Sequence, residues 1–401
     1  MADRGRVLET MVAAAQKIII SGYYGFRNSG DEAVLQSILN ALRKQSEAAG
    51  ITLTPVVLSI DPEWTTAAYG VESVHRMKLG EVRKAISESA GLISGGGSLL
   101  QDVTSSKTIP YYLAIIKLAQ WMGKPTFIYA QGIGPVNRKL FHPLIKSIFR
   151  KCAYVSVRDE QSRLLLQSMG LDKGTIDVVP DPVMGLTLPE DIRTETHEPS
   201  SGNAYVHDSD ISNLQTELYT VGISVRFWEQ SRKELDALAE GLVKVSAELP
   251  LHLRFLPFHH SADNEASRYV MQKLGQGVEE HGGTVSICED ALHPQQMLRE
   301  VGQCQALIGM RLHSLIYAAG RRVPLMGVSY DPKIDHFLER IGCRPVGSTA
   351  ALEGDMVAAG LLELLKSGEA WKREREPLIA SLVEEAEAPA RQVAQYFRRK
   401  G

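Results

Sequence analysis

The sequence predicts an α/β protein built from two Rossmann-like domains. Short apolar runs alternate with helix-period segments nearly from end to end. The runs are apolar throughout and not just at every second residue, as in parallel strands covered by helices on both faces. One polar stretch, residues 188–218, interrupts the alternation, which then restarts and repeats.

The elements follow in order. The first strand, "KIIISGYY", leads into a helix with Val34, Leu35, Ile38, Leu39 and Leu42 on one face, an amphipathic spacing. "TPVVLSI", "GLISGGG", "PTFIYAQG", "YVSVR" and "IDVVPD" read as further strands, each followed by small residues and then a helix or a short connection. "LPEDIRTETHEPSSGNAYVHDSDISNLQTE" is rich in charge, Ser, Gly and Pro, and reads as a linker or disordered loop. The second series begins with strand "YTVGISVR", helix "KELDALAEGLVKVSAEL" and strand "LHLRFLPF", then a helix around Glu265–Leu274. It continues with strands "TVSICE", "ALIGM" and "PLMGVSY" and helices "PQQMLREVG", "HSLIYAAG" and "IDHFLERIG". The expected domains are residues 1–187 and 219–375. Residues 376–401 are expected to form a charged helix, either solvated or crossing back to the first domain.

Composition narrows the function. The chain has 401 residues, enough for two or three domains at about 100–200 residues each. Its formal charge of −3 is too small to imply a nucleic-acid partner. Four cysteines without CxxC spacing read as reduced core thiols, not as a disulfide frame or zinc site. "MADRGRVLETMVAAAQK" lacks the apolar core of a signal peptide, and no run approaches the ~18 apolar residues of a membrane span. The expectation is a soluble, cytoplasmic protein, with peripheral contact at the inner membrane face left open.

Ligands of open α/β sheets bind outside the carboxyl ends of the strands, so the strand-to-helix turns carry the functional reading. In "SGYYGFRNSGDEAV", Ser29-x-x-Glu32 fits a capping box. Capping leaves Tyr23, Arg27, Asn28 and Asp31 unexplained, and their mixture of donors, acceptors and rings suits a sugar. Gly95, Gly96, Gly97 and Ser98 let a backbone approach a ligand at a helix start, or simply pack strand on helix. No Gly-Lys-Ser/Thr follows, so this is not a P-loop. Gln131 and Arg158 end later strands. Arg158 can contact a ligand or pair with Asp159, Glu160 or Asp181, while Asp159 reads as a helix N-cap. In the second half, Arg226, Arg311 with His313, and Tyr330 with Lys333 occupy three strand-to-helix turns. Cations at helix N-termini build a site for phosphate or carboxylate. No carboxylate or cysteine spacing supports a metal at His259 and His260.

Taken in order, "GYYGFRNSGDEAVL", "LISGGGSLLQD", "YAQGIGP", "SVRDEQS", "PDPV", "GISVR", "GMRLHSLIYAAG" and "GVSYDPKI" resemble the polysaccharide pyruvyl transferase family. "GMRLHS" and "NSGDEA" are the most specific pieces. The resemblance is closest to the CsaB-type cell-wall enzymes of Gram-positive bacteria, whose product anchors S-layer proteins. It implies a GT-B-like pair of domains with the active site in the interdomain cleft. It also implies phosphoenolpyruvate as donor and N-acetylmannosamine in a lipid-linked saccharide as acceptor, with a 4,6-ketal and phosphate as products.

The residues suit that chemistry. Phosphoenolpyruvate carries a phosphate and a carboxylate, which Arg226, Arg311 and Lys333 can neutralise without any cofactor. Tyr330 joins this donor set. His313 can bind phosphate or act as a general acid, and Asp31 is the candidate base, with Asp331 or Glu32 as substitutes. Tyr23, Arg27, Asn28, the Gly95–Ser98 turn, Gln131 and Arg158 are expected on the acceptor side. Two other readings remain: a GT-B nucleotide-sugar glycosyltransferase or epimerase, and a non-catalytic saccharide-binding protein.

Overall fold

The computed structural model describes residues 15–103, 107–189 and 218–400. Nearly all of the predicted linker therefore lies outside the described residues.

Two parallel sheets organise the chain. The first contains β1 (Gln16–Tyr24), β2 (Leu53–Ser59), β3 (Glu72–His75), β4 (Gly91–Gly95), β5 (Thr126–Gln131), β6 (Tyr154–Val157) and β7 (Asp177–Val178). Their order is β3-β2-β1-β4-β5-β6-β7. The second contains β8 (Tyr219–Ser224), β9 (Leu251–Phe255), β10 (Thr284–Ile287), β11 (Ala306–Gly309), β12 (Leu325–Ser329) and β13 (Gly347–Ser348). Their order, β10-β9-β8-β11-β12-β13, repeats the same winding. In each sheet the chain leaves the first strand toward one side and later returns to its other side. That reversal, at β1/β4 and at β8/β11, opens a crevice at the strand ends. Two Rossmann-like sheets, each covered by helices, are thus present, as the alternation of apolar runs leads one to expect.

The central strands explain why the pattern was legible. Ile18, Ile19 and Ile20 of β1 are wholly buried and pair with β2 on one side and β4 on the other. A strand covered on both faces has no polar face to alternate with. The sequence reading misses the elements without that signature. β3 is half-exposed, and the helix Pro62–Tyr69 has only eight residues. "IDVVPD", read as a strand, does contain one, but a short one that pairs with its neighbour only through Asp177 and Val178.

By contacts, the described chain divides into two units. One comprises residues up to 26, residues 38–179 and residues from 387 on. The other comprises residues 27–37 and 180–386. Residues 27–37 thus group with the second unit, although they belong to the stretch 1–187 read as one domain from sequence. The C-terminal segment is two helices, Gly368–Ala386 and Ala388–Arg398, broken at Glu387 just before Pro389. Within the first unit, Tyr396 and Phe397 pack on Phe127 of β5 with ring centroids 5.2 and 5.8 Å away. Glu387 accepts from Lys44 Nζ and Gln45 Nε2 at 2.6 and 2.9 Å.

The four cysteines are free thiols; Cys288 and Cys304 are buried, whereas Cys152 and Cys343 are half-buried. Burial pushes Cys304 up to about 12, which keeps it protonated and inert.

Candidate functional site

In the first unit the carboxyl ends of β1, β4, β5 and β6 carry the expected acceptor residues. Gly96 and Gly97 have φ of 59° and 65°, left-handed values that favour glycine. Gly95 serves packing: a Cβ there would lie 2.8 Å from Ile38 Cδ1. Arg158 Nη2 donates to Ser98 Oγ at 2.8 Å, tying the β6 end to the β4 turn. Gly132 lets the two meet, because a Cβ would lie 2.9 Å from Arg158 Nε and 3.0 Å from Ser98 Oγ. Gln131 is wholly buried and donates to Ser94 Oγ at 3.1 Å, while its Oε1 has no partner among the described residues. Asp159 caps the helix Glu160–Ser168, accepting from Ser162 N at 2.7 Å, as its position suggested.

Beyond β1, Tyr23 and Phe26 stack at 3.8 Å and both remain about two-fifths exposed. Behind them lies Arg76, which the sequence reading did not single out. Its guanidinium is buried, lies over the rings of Phe26, Tyr111 and Tyr112, and donates to Gly22 O at 2.9 Å. The arginine stacks on rings and holds a strand end, a structural use of its planar fork. An isolated Arg after an unrecognised strand left no signal for this.

The first helix, α1 (Ser29–Ala49), opens in the second unit's contacts and corrects the expected cap. Ser29 is the first helical residue, and Asn28 is the N-cap: its Oδ1 accepts from Gly30 N at 3.1 Å and its carbonyl from Glu32 N at 2.9 Å. Asn28 thus uses its side-chain oxygen and its carbonyl at the helix start. Glu32 is buried and accepts from Arg27 N at 3.2 Å, holding the turn in which Arg27 adopts a φ of 58°. Asp31 stands half-exposed in the first turn.

In the second unit, β8, β11 and β12 are neighbours and parallel, so the three cationic turns share one sheet edge. Arg226, just past β8, donates from Nη1 to Tyr330 Oη at 2.9 Å. Trp228 and Tyr330 flank its guanidinium at 5.0 and 4.9 Å. Lys333 and Asp331 start the helix Pro332–Arg340, where Asp331 caps the helix by accepting from Lys333 N at 2.9 Å.

Arg311 and His313 open the helix Leu312–Gly320. Arg311 is not a bare cation. Asp263, wholly buried, grips it through both oxygens, receiving Nε at 3.0 Å as well as Nη2. The expected neutralisation of an anion by Arg311's full charge must be revised accordingly. His313 Nε2 lies 3.9 Å from Asp181 Oδ2, and Asp181 Oδ1 accepts from Val183 N at 3.1 Å. The other side of the ring faces α1: a Cβ at Gly30 would lie 2.6 Å from His313 Cε1 and Nδ1. The two most specific motif pieces, "NSGDEA" and "GMRLHS", therefore meet within one unit. Asp181 and Asp263 were absent from the expected site set. Asp181 lies in the quoted "PDPV", but Asp263 sits in a helix turn without a motif.

Among the described residues, no group of three or more His, Cys, Asp or Glu is arranged to hold a metal ion. No helix among them is long and apolar enough to cross a membrane.

Among solved structures, a glycosyltransferase from Rickettsia africae ESF-5 is similar in fold, with TM-score 0.61 and 10% identity, covering 96% of this chain and 98% of that one. A UDP-N-acetylglucosamine 2-epimerase from Neisseria meningitidis, bound to UDP-N-acetylglucosamine, has TM-score 0.56 and 11% identity, covering 95% and 100%. HepE of Anabaena, in complex with UDP-glucose, has TM-score 0.56 and 12% identity, covering 96% and 100%. At such identities the likeness concerns the fold alone. The family model described as polysaccharide pyruvyl transferase matches residues 28–332, from the cap of α1 through the turn after β12. With that span running through both sheets and the turns that bear Arg226, Arg311 and His313, the chain belongs to the polysaccharide pyruvyl transferase family.

Proposed function

We propose that the protein transfers pyruvate from phosphoenolpyruvate to a sugar of a cell-wall polysaccharide precursor, as CsaB-type enzymes do. The acceptor on this reading is N-acetylmannosamine in a lipid-linked saccharide, met at the inner membrane face. The observation that carries the proposal is the set of turns at the β8/β11 reversal, which presents Arg226, Arg311 and His313 together. A doubly anionic small molecule suits that edge, and a neutral glycan does not need it.

In the proposed reaction, Arg226 and Arg311 hold phosphate and carboxylate, with Lys333 and Tyr330 at the flank. His313, backed by Asp181, delivers a proton to the methylene carbon, and an oxocarbenium-like centre develops at C2. One sugar hydroxyl adds to C2 and loses its proton. The C2–O bond to phosphate then breaks, and the second hydroxyl closes the 4,6-ketal. Of the two hydroxyl protons, one replaces the proton given by His313 and one leaves with phosphate. Asp31 is the proposed acceptor of a hydroxyl proton. Tyr23, Arg27, Gln131, Ser98 and Arg158 are proposed to face the acceptor. The ring faces of Tyr23 and Phe26 offer apolar contact to a sugar.

Ligand-dependent melting tests the reading. Phosphoenolpyruvate is expected to raise the melting temperature, whereas UDP-, GDP- and CMP-sugars are not. Incubation with phosphoenolpyruvate and an N-acetylmannosamine disaccharide should then yield the pyruvyl ketal by mass spectrometry. Stabilisation by a nucleotide sugar alone would replace this reading with a glycosyltransferase or epimerase. No stabilisation and no phosphate release would leave a saccharide-binding protein.

A further inference from the structure

We infer that Asp263 is a positioning residue that draws Arg311 across the end of β8 and so aims it at the anionic donor. The inference rests on the proposed use of phosphoenolpyruvate. Asp263 stands in the first turn of the helix His260–Leu274, which follows β9, and Arg311 follows β11. The sheet order is β9-β8-β11. An ion pair between the β9 and β11 connections must therefore pass over the carboxyl end of β8. That end is where the winding reverses and where ligands of such sheets bind.

Asp263 is built for the task and held in turn. It is wholly buried and receives Arg311 Nε and Nη2, and its Oδ2 also accepts from His259 N at 2.8 Å. The backbone bond fixes the carboxylate, and the fork-to-fork geometry fixes the guanidinium plane. Of five guanidinium donors, Asp263 takes two, leaving three for another acceptor, and the Arg311 side chain is 21% exposed.

A second observation marks the spot the pair spans. Ser224 Oγ, at the last residue of β8, and Arg226 Nε, two residues on, are buried without a partner among the described residues. Buried polar groups normally have partners, so this strand end is prepared for a polar ligand. Because Asp263 offsets the charge of Arg311, donor binding there depends on directed hydrogen bonds more than on net charge.

A mutant cycle read by the KM of phosphoenolpyruvate tests the inference. Asp263→Asn keeps the size and one acceptor but loosens the grip, and is expected to raise KM about tenfold or more. The acceptor KM should change less than about twofold. In an Arg311→Lys background, where no bidentate grip exists, the same change should alter the donor KM by less than about threefold. Effects that multiply across the two backgrounds would overturn the inference and make Asp263 a structural residue. If Asp263→Asn does not fold, Asp263→Glu takes its place: the displaced carboxylate should still raise the donor KM about tenfold, and an unchanged KM would overturn the inference. If the wild-type protein does not use phosphoenolpyruvate, the proposed function fails separately. The same cycle is then read on affinity for inorganic phosphate by calorimetry, and no phosphate binding by the wild type would overturn the role of Asp263 as well.

Discussion

Gly30 lacks a side chain where His313 needs room. In an isolated helix, alanine in place of glycine gains up to about 1 kcal/mol. Here the added Cβ would meet His313 Cε1 and Nδ1 at 2.6 Å, so the imidazole must shift or α1 must start differently. Overpacking of this kind costs about 1–3 kcal/mol and outweighs the propensity. Gly30→Ala is therefore expected to destabilise the protein by about 1 kcal/mol in urea titration and to lower kcat at least about tenfold through His313. Gly80 supplies the control: it lies in the helix Leu79–Glu88 with nothing within 4 Å of a built Cβ. Gly80→Ala should be neutral or stabilising by about 0.5 kcal/mol. A Gly30→Ala protein as stable and active as wild type would show that His313 is not held against α1. The glycine itself was visible in "NSGDEA", but its reason was not, because the partner lies 283 positions away, from 30 to 313.

At the scale of elements, what could be read was set by burial. Strands buried on both faces, such as β1, β4 and β12, announce themselves as apolar runs. Elements such as β3 and β13 do not, because none of their residues is fully buried and they are only four and two residues long. The terminal helices show the same limit. Charge along "EAWKREREPLIASLVEEAEAPARQ" hides a break, after which Pro389 occupies the first turn of the last helix, a position that suits proline. The last helix then docks through a few apolar residues. Phe397 is 5% exposed and packs on Phe127 and on Gly91, where a Cβ would meet its ring at 3.0 Å. Phe397→Ala should cost about 3–5 kcal/mol in denaturant unfolding. A loss under about 1 kcal/mol would mean that this helix is not part of the first unit's core.

For the molecule as a whole, the buried thiols couple stability to alkaline pH. Burial pushes the Cys304 thiol from its ordinary value near 9.0 up to about 12. Below pH 9 the thiol is protonated in both the folded and unfolded chains, and its contribution is fully present. As pH rises from 9 to 12, the unfolded chain releases the proton and the folded chain does not. Stability is then lost at about 1.4 kcal/mol per pH unit from this group. The difference in unfolding free energy between wild type and Cys304→Ala should therefore shrink between pH 9 and 11. A difference independent of pH would show that the thiol is not buried as described.

Local patterning sufficed for the α/β class and for its two strand-and-helix series, because apolar period and turn composition are properties of neighbours in the chain. The family was legible for the same reason: its motifs are short and contiguous, and they sit at strand ends. The partners of those motif residues were not legible. Asp263 with Arg311, Asp181 with His313, and Gly30 beneath the imidazole are separated in sequence and brought together by the order β9-β8-β11 and by the packing of α1. Such pairings depend on which strands become neighbours, and no local period records that. They also show that Arg311 is paired with a buried carboxylate, which no motif around either residue announces.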